Sequence, residues 1–509
     1  MSKKFKIYFT SDTHGHLLPV SYATKEVSVS GMLGFGKKFV KDGNTLIIDG
    51  GDTIQGSPFT MYASRLDFDQ HPVGLVLNKN KYDYVTLGNH DFNYGQTYLK
   101  KYIDTLDAKV LCANVDGLPI ARSDIKVLSN GLRIGLVGAV TDWINVWENP
   151  NHLEGLEVND AMTAIRAEFA KIKSSVDITI GIYHGGYERN IDTDEIQSTT
   201  SENIAWQICK ELDFDLLLTG HQHIPVAGQL VHGTYTVQPA ANALHYLEIE
   251  GTVSEEGVVF NSELKDGSDQ CDSAGLANVL AIENEVQTWL DQPVGYLNQS
   301  LEPDEKIAMA LKGSPIADFF NQVQLWDTGA DISAVSLGNV VKGFDKAVTV
   351  RDVVSTYVYS NTLTVMEITG AGLKKVLERT ASYLELDEDG IPQISRAFLE
   401  PKIEHYNYDF FAGLTYTSDL IKSVGNRVSR IIVNGKEITD QDTFTICINN
   451  YRATGAGGYE IYTKCRVIKE STMEMSELII NYLDAHKSVE VQRFEAPTYK
   501  GYACNNEGG

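Results

Sequence analysis

The sequence has few cysteines, no long apolar run and no excess of basic residues, and each absence excludes a class of protein. None of the cysteines belongs to a CxxC pair, which argues against a zinc ribbon or a disulfide framework. Reduced thiols are therefore expected at all six positions, which are Cys112, Cys209, Cys271, Cys447, Cys465 and Cys504. The net charge of −25 creates a surface that repels nucleic-acid polymers and anionic membranes.

The chain also shows no segment for membrane insertion or export. No window is long and apolar enough to span a bilayer, and the N-terminal MSKKFKIYFTSDTHGH contains no apolar stretch of signal-peptide length. We therefore expect a cytoplasmic protein with no membrane partner, and we take it to be a monomer. The 509 residues have an ordinary globular composition, 43% hydrophobic and 22% charged, and are too many for one core.

Short apolar runs alternate with amphipathic segments in the first half of the chain, a rhythm typical of an α/β layered domain. The runs predicted as strands are KIYFT, TLIID, DYVTLG, AKVLCANV, RIGLVGAV, DITIGIY and FDLLLTG, and helices are predicted at 95–107, 159–174 and 200–212. We expect this domain to occupy 1–262. A linker with a helix that stops before Pro293 is expected over 263–300, and an α+β domain over 301–509.

Five of the predicted strands are followed directly by Asp, His or Asn residues. Because ligands bind beyond the carboxyl ends of strands in α/β sheets, we expect these side chains to meet at one edge. One such group alone has an ordinary structural explanation, but five in succession indicate a site. The residues concerned are Asp12, His14, Asp52, Asn89, His90, Asp91, His184, His221 and His223. We expect structural roles for the histidines outside these groups, which are His71, His152, His232, His245, His405 and His486.

The chemistry of these residues favours two divalent transition metals. Asp12 and His14 are two residues apart at a strand end, so their side chains share a face and can chelate one ion; His221 and His223 repeat this spacing. Asp52 is the candidate bridge, since a carboxylate has two oxygens. A mixture of imidazole, carboxylate and amide ligands suits manganese, zinc or iron better than calcium or magnesium. Two such ions ~3.5–4 Å apart form the clamp used for displacement at phosphorus.

The order DTH, GGD, GNHD, strand-end His and GHQH resembles the calcineurin-like metallophosphoesterase superfamily. The second half resembles the C-terminal domain of the bacterial 5′-nucleotidase family in YSNTLTVMEITGAGLKKVLE (359–378) and NNYRATGAGGYE (449–460). That family includes 5′-nucleotidases, UDP-sugar hydrolases and 2′,3′-cyclic-nucleotide 2′-phosphodiesterase/3′-nucleotidases. The resemblance implies an α/β fold, in which a four-layer αββα metal domain is joined by a linker helix to a smaller α+β substrate-binding domain.

The resemblance also implies roles for individual residues. One metal would be held by Asp12, His14, Asp52 and His223, and the other by Asp52, Asn89, His184 and His221. A hydroxide between the two metals would attack phosphorus, while His90 stabilises the transition state or the leaving group. We expect Gly88 to allow a sharp turn after the strand.

Three positions resemble the cyclic-nucleotide branch rather than the 5′-nucleotidase branch. Asn93 stands where 5′-nucleotidases usually have Asp, so it can orient His90 but cannot carry a charge. Ser333, in TGADISAVS, replaces an arginine that binds phosphate in that branch, and Gly457 stands where Asp is frequent. By motif, the two aromatic rings that enclose a nucleobase in the family fall on Tyr408 and Tyr451.

The expected function is hydrolysis of small-molecule nucleotides, most of all 2′,3′-cyclic nucleotides and 3′-nucleotides. A 5′-nucleotidase or nucleotide-sugar hydrolase on the same scaffold is the first alternative. The related thiosulfate-pathway hydrolase is a second alternative, against which the two tyrosines argue. A binding protein without metals is a third alternative, and the intact set of expected ligands argues against it.

Overall fold

The computed structural model describes residues 2–196, 201–357, 359, 361–400, 403–471 and 473–502. The chain divides into two compact units, Met1–Thr288 and Trp289–Gly509. Five cysteines are free thiols, as expected, while Cys504 lies outside the described residues. Among the described helices, none combines the length and apolar character needed to cross a bilayer.

Two six-stranded sheets form the frame of the first unit. Its strands are β1 (Lys3–Thr10), β2 (Thr45–Asp49), β3 (Tyr84–Val85), β4 (Lys109–Val110), β5 (Val115–Asp116), β6 (Ser123–Val127), β7 (Arg133–Val140), β8 (Glu157–Val158), β9 (Ile178–His184), β10 (Leu216–Thr219), β11 (Val226–Val231), β12 (Thr234–Gln238), β13 (His245–Ser254) and β14 (Gly257–Asp266). The orders are β14-β13-β1-β2-β3-β4 and β11-β12-β10-β9-β7-β6. Strands β1 to β4 are mutually parallel, as are β7, β9, β10 and β12. Antiparallel pairing adds β13 and β14 at one side of the first sheet, and β6 and β11 at the two edges of the second.

Eight helices belong to the described residues around the two sheets of the first unit. They are α1 (Met32–Gly36), α2 (Pro58–Ala63), α3 (Pro72–Lys79), α4 (Gly95–Thr105), α5 (Ile144–Trp147), α6 (Ala161–Ile172), α7 (Ala205–Glu211) and α8 (Ala277–Leu290), with 3₁₀ turns at His90–Phe92, Pro150–Leu153 and Lys173–Ser175. Helix α6 begins where the Asp160 side chain accepts the Thr163 N–H at 2.7 Å, a typical N-cap. The helices predicted at 95–107 and 159–174 correspond to α4 and α6. The prediction at 200–212 corresponds to α7, although residue 200 lies outside the described residues.

The main core lies between the two sheets. Alternate residues of β1 and of β9 face inward and are almost fully buried, among them Phe5, Ile7, Phe9, Ile178, Ile180 and Ile182. The outer face of the second sheet is covered by α6 and α7. On the outer face of the first sheet, Tyr8 stacks on Phe39 with ring centroids 4.7 Å apart, and Asn80 after α3 donates to the Met32 carbonyl of α1. The expected four-layer αββα arrangement is therefore confirmed.

The second unit mixes smaller sheets with helices, which confirms the α+β expectation. Its strands are β15 (Pro293–Leu297), β16 (Ile332–Ser336), β17 (Ala347–Thr349), β18 (Leu363–Thr369), β19 (Leu384–Leu386), β20 (Pro392–Ile394), β21 (Asp409–Ala412), β22 (Leu414–Asp419), β23 (Val428–Val433), β24 (Lys436–Glu437), β25 (Thr443–Asn449), β26 (Arg466–Glu470), β27 (Ser488–Val489) and β28 (Thr498–Lys500). The largest sheet has the order β21-β16-β25-β18-β26, and a four-stranded sheet has the order β24-β23-β22-β28.

The helices of the second unit pack on these sheets. They are α9 (Lys306–Lys312), α10 (Pro315–Thr328), α11 (Val350–Thr356), α12 (Gly370–Ala381), α13 (Asn450–Ala453) and α14 (Met475–His486), with 3₁₀ turns at Arg396–Phe398, His405–Asn407, Ala456–Gly458 and Glu460–Lys464. A capping box starts α11, because Thr349 and Asp352 satisfy each other's backbone N–H groups. Leu373, Val376 and Leu377 of α12 lie at helical spacing and are fully buried against the largest sheet.

Candidate metal centre and substrate-binding residues

Five parallel strands of the first unit end at the candidate centre. Strands β1, β2 and β3 come from the first sheet, and β9 and β10 from the second. Because β1, β2 and β3 are mutually parallel, as are β9 and β10, their carboxyl ends bring together residues that are far apart in sequence. The residues at or just beyond these ends are Asp12, His14, Asp52, Asn89, His184, His221 and His223, as the sequence led us to expect.

The ligand atoms form two groups that share one carboxylate. In the first group, Asp12, His14, Asp52 and His223 place one ligand atom each within 4.8 Å of the others. His14 Nε2 lies 3.1 Å from His223 Nε2, which lies 3.3 Å from Asp12 Oδ1. The shared residue, Asp52, is the residue for which the sequence predicted a bridging role.

The second group consists of Asp52, His184 and His221, again with ligand atoms within 4.8 Å of one another. His184 Nε2 lies 3.1 Å from Asp52 Oδ2, and Asn89 Oδ1 lies 2.9 Å from His221 Nδ1. The amide oxygen of Asn89 therefore lies beside the second group, where an amide ligand was expected.

The residues fit a bound cation. Asp52 Oδ2 and His184 Nε2 are buried and lie 3.1 Å apart, but neither atom makes a hydrogen bond of good geometry to any described residue. Leaving such groups unsatisfied in a protein interior is costly, whereas a metal between them would engage both. The donor set of imidazole, carboxylate and amide suits manganese, zinc or iron.

Outer contacts orient three of the imidazoles toward the centre. His14 Nδ1 lies 2.8 Å from the Gln55 carbonyl, and His184 Nδ1 lies 2.7 Å from the Gly50 carbonyl. Because a carbonyl oxygen only accepts, these rings carry a hydrogen on Nδ1 and present Nε2 to the centre.

The third imidazole is oriented by a carboxylate that the sequence did not indicate. His221 Nε2 lies 3.0 Å from Glu202 Oε1, so its Nδ1 faces the centre. No sequence signal marks Glu202, because it precedes α7 and does not follow a strand.

The electrostatics of the centre favour ionised carboxylates and a bound cation. Burial and the neighbouring His223 lower the pKa of His14 to about 3, so that imidazole is neutral at neutral pH. Burial opposes ionisation of Asp12, but the hydrogen bond with His223 and the nearby His184 lower its pKa to about 2. Burial also acts to lower the pKa of His184, yet the carboxylates of Asp52 and Asp12 raise it to about 10. The carboxylates of Asp12 and Asp52 therefore stabilise positive charge at this centre.

Most of the expected ligands also have strained backbone angles. Left-handed φ angles are rare outside glycine and cost roughly 1–3 kcal/mol per residue, so they persist where the surrounding structure and function require them. Five of the seven expected ligands adopt them: Asp12 (55°), His14 (49°), Asp52 (54°), His221 (75°) and His223 (59°).

Gly88 is required for a different reason from the one predicted. Its φ lies outside the left-handed region, so the backbone does not need glycine for a sharp turn. A Cβ at this position would instead lie 2.1 Å from Asp52 Oδ1 and 2.3 Å from Asp52 N. Glycine therefore allows the loop after β3 to approach the loop after β2.

Asp91 joins these two loops. Its carboxylate accepts the backbone N–H groups of Gly88 and Thr53 at 2.8 Å, of Ile54 at 3.0 Å and of Asp52 at 3.1 Å. Burial and the charge of Asp52 raise the pKa of Asp91 to about 6. The acidic residue of the GNHD motif thus holds the shared carboxylate in place.

His90 lies at the edge of the centre. Its ring centroid is 5.4 Å from that of His14, and its backbone N–H donates to Asp52 Oδ1 at 2.8 Å. Its Nδ1 lies 2.8 Å from Asn93 Oδ1, which brings together the two residues expected to serve catalysis.

The two tyrosines predicted to enclose a base differ in exposure. Tyr451, at the start of α13, is 44% exposed. Tyr408 is 4% exposed, packs in a core with Tyr383 and Phe398, and donates from its hydroxyl to the Ala310 carbonyl at 3.1 Å. A ring enclosed in this way has no face free to stack on a base, so the prediction for Tyr408 is corrected.

Tyr406, two residues earlier, is the better candidate. It is half-buried, and its ring centroid lies 6.4 Å from that of Tyr359. Burial and the nearby Tyr406 and Tyr451 raise the pKa of Tyr359, so the three rings are neighbours. In a continuous strand, Tyr406 and Tyr408 would share a face. The 3₁₀ turn at His405–Asn407 breaks that alternation.

Ser333 and Gly457 are the other two positions that differ from the 5′-nucleotidase branch, and neither provides a charged side chain. Ser333 on β16 is fully buried, and its hydroxyl lies 2.7 Å from both Asn321 Oδ1 and Gln324 Oε1 of α10. Gly457 has a φ of 72°, and a Cβ there would lie 2.2 Å from Asn407 Oδ1.

Two family models match the chain over most of its length. Residues 5–225 match the calcineurin-like phosphoesterase family, and residues 293–464 match the 5′-nucleotidase C-terminal domain. The chain therefore combines a calcineurin-like phosphoesterase domain with a 5′-nucleotidase C-terminal domain. It is therefore a hydrolase of the metal-dependent phosphoesterase class.

Named relatives of this phosphoesterase act on nucleotides. It is 25% identical to the trifunctional nucleotide phosphoesterase protein YfkN of Bacillus subtilis, over 95% of this chain but only 38% of YfkN. It is 23% identical to the 2′,3′-cyclic-nucleotide 2′-phosphodiesterase/3′-nucleotidase of Haemophilus influenzae, over 88% of this chain and 78% of that protein. A Staphylococcus aureus crystal structure, assigned as a 5′-nucleotidase in complex with alpha-ketoglutarate, aligns with a TM-score of 0.70 and 28% identity, covering 98% of this chain and 100% of that one.

Proposed function

We propose that this phosphoesterase hydrolyses nucleotide phosphate esters and prefers 2′,3′-cyclic nucleotides and 3′-nucleotides to 5′-monophosphates. The main support for this preference is the contact between His90 and Asn93. An uncharged amide oxygen, Asn93 Oδ1, rather than a carboxylate lies 2.8 Å from His90 Nδ1. The nucleotide substrates of the named relatives support the substrate class.

Two divalent ions would be held by the two groups of the candidate centre. One ion would take Asp12, His14, Asp52 and His223, and the other Asp52, Asn89, His184 and His221. Bound there, manganese, zinc or iron ions would acidify a water and neutralise the phosphoryl oxygens.

His90 would act on the leaving oxygen rather than bind metal. Water attacks phosphorus, the P–O bond to the leaving group breaks, and His90 Nε2 gives its proton to the departing oxygen. The Nδ1 atom is occupied by Asn93, so Nε2 is the nitrogen available for this role.

In the second unit, Tyr451 with Tyr406 or Tyr359 would stack on the nucleobase. Stacking accepts any base, because every base presents a π-face. Single small nucleotides suit this arrangement, since the acidic chain repels long polyanions.

Phosphate charge supports the preference for a cyclic diester. The diester carries one negative charge, whereas a 5′-monoester carries nearly two at neutral pH. An arginine clamp matters more for the doubly charged group, and the corresponding position here is the buried Ser333.

A substrate panel tests the proposal. We expect purified protein with added manganese to hydrolyse 2′,3′-cyclic AMP and 3′-AMP faster than 5′-AMP and UDP-glucose at equal concentration. Faster turnover of 5′-AMP would favour the alternative, a 5′-nucleotidase, which the Staphylococcus aureus structure supports. No turnover of any of the four would contradict both.

A further inference from the structure

A chain of hydrogen bonds leads outward from His90 to a buried carboxylate. Asn93, which accepts at Oδ1 from His90, donates from Nδ2 to Glu148 Oε2 at 2.7 Å. Glu148 directly follows α5, and its side chain is 4% exposed. Its second oxygen, Oε1, accepts the Asn149 N–H at 2.7 Å and lies 2.8 Å from His152 Nδ1. Both carboxylate oxygens are thus engaged, and His152 lies at the outer end of the chain.

The carboxylate determines which way round the Asn93 amide lies. An ionised carboxylate only accepts hydrogen bonds, so the NH₂ group of Asn93 must face Glu148. The amide oxygen then faces His90 and also only accepts, so His90 must carry a hydrogen on Nδ1. A reversed amide would place the Asn93 oxygen against the Glu148 carboxylate, and neither of these groups can donate a hydrogen bond.

We propose that Glu148 is a positioning residue that acts through Asn93 to keep a hydrogen on His90 Nδ1, which leaves Nε2 as the nitrogen that gains and loses the proton. The inference rests on the proposed function, in which His90 serves the leaving oxygen. In that step, water forms the new P–O bond, the bond to the leaving oxygen breaks, and this oxygen takes the proton of Nε2. The proton lost by the water restores Nε2–H, so that one water is consumed.

This role gives a physical reason for combining Asn93 with Glu148. An aspartate at position 93 would hold the Nδ1 hydrogen without help. An amide can present either end to an imidazole, so it needs a second group to fix its orientation. Glu148 supplies that group and keeps its negative charge one side chain further from His90.

The variant Glu148→Gln tests the inference. A glutamine keeps the shape but can donate as well as accept, so both orientations of Asn93 become possible. Glu168→Gln is the matched control: Glu168 on α6 is 5% exposed and is bonded to Ser123 and Lys171, outside the chain of contacts. Activity is measured on 2′,3′-cyclic AMP, which has an alkoxide leaving group, and on bis(p-nitrophenyl) phosphate, whose leaving group needs little protonation.

We expect Glu148→Gln to lower kcat for 2′,3′-cyclic AMP by roughly tenfold or more, a part of the ~10²–10⁴-fold that general acid–base catalysis contributes. The loss on the aryl diester should be smaller, KM should change by less than about twofold, and both metal equivalents should remain. Glu168→Gln should match wild type. In an Asn93→Ala background, Glu148→Gln should have no further effect.

A measurement independent of activity reports the hydrogen position directly. Side-chain ¹⁵N spectra of histidine-labelled protein, compared with His90→Ala, identify the His90 signals. We expect hydrogen on Nδ1 in wild type and a shift toward Nε2–H in Glu148→Gln. A neutral wild-type ring with its hydrogen on Nε2 instead of Nδ1, an unchanged signal in the variant, or equal losses on both substrates would overturn the role of Glu148. If wild type hydrolyses no nucleotide, the proposed function fails, but the spectra still decide the role of Glu148.

Discussion

Arg452 and Asp409 form a bidentate ion pair inside the second unit. Arg452 Nε lies 3.0 Å from Asp409 Oδ2, Nη2 lies 2.8 Å from Oδ1, and both residues are nearly fully buried. Arg452 also donates from Nη1 to Asn407 Oδ1 at 3.2 Å and from Nη2 to the Tyr406 carbonyl at 2.9 Å. The pair therefore joins the segment of Tyr406 to the helix of Tyr451, and these are two of the three rings proposed for base stacking.

Arg452→Met should destabilise the second unit by ~3–5 kcal/mol, because it leaves the Asp409 carboxylate buried without its partner. Burial already raises the pKa of Asp409, and Arg452 is the main opposing influence. Calorimetry of the full chain measures the loss. Arg466→Met, which breaks an exposed pair with Glu367, is the control and should cost ~0–1 kcal/mol. Equal costs for the two variants would contradict the structural role of the buried pair.

Asp52→Asn should remove most activity and weaken both metals, because one carboxylate is proposed to serve both ions. An amide has only one oxygen to offer and no charge to balance the cations. Metal content by mass spectrometry after desalting checks this. Asp215→Asn is the matched control, since its carboxylate accepts from Thr179 at the other end of the strands. Retention of two full equivalents of metal in Asp52→Asn would contradict the proposal that Asp52 binds both ions.

His90→Ala should retain both metals yet lose turnover by ~10²–10⁴-fold on alkoxide esters, because its imidazole serves the leaving oxygen and not a metal. The measurement pairs metal content with kcat. His245→Ala removes a histidine whose side chain is 40% exposed and lies away from the centre, so it should behave as wild type. Loss of metal in His90→Ala, or a loss of turnover of only a few-fold, would speak against the role.

The grouping of the candidate ligands was predictable because its signal is repeated. Parallel strands end at one edge, so Asp12, Asp52 and His221 could be placed together from strand order alone. Their left-handed φ angles could not be foreseen, since such angles depend on tertiary surroundings that the spacing of residues does not show.

Residues that contact a candidate ligand or His90's partner, rather than the centre itself, left no such signal. Glu148 and Glu202 lie outside the strand ends, and their partners are set by tertiary folding. Tyr406 was missed because a short 3₁₀ turn interrupts the alternation of a strand. The sequence correctly indicated that the loop needs a glycine at position 88. The reason is the lack of space for a side chain beside Asp52, and not the backbone angle.

The aromatic assignment gives the last prediction. Tyr451→Ala and Tyr406→Ala should each raise KM for nucleotides far more than for p-nitrophenyl phosphate, because base stacking is worth ~1–3 kcal/mol per ring. The aryl ester lacks a nucleobase and should depend less on these rings.

Tyr408→Phe is the matched control for this comparison, since it removes only the hydroxyl that donates to Ala310. It should leave KM for both substrates unchanged and should cost stability instead, by ~0.5–1.5 kcal/mol for the lost hydrogen bond. Because phenylalanine keeps the ring, Tyr408→Leu is measured as well, and a selective rise in nucleotide KM for Tyr408→Leu would restore the original pairing of Tyr408 with Tyr451. Equal losses on both substrates for Tyr451→Ala and Tyr406→Ala would mean that these rings hold the fold or contact the phosphate.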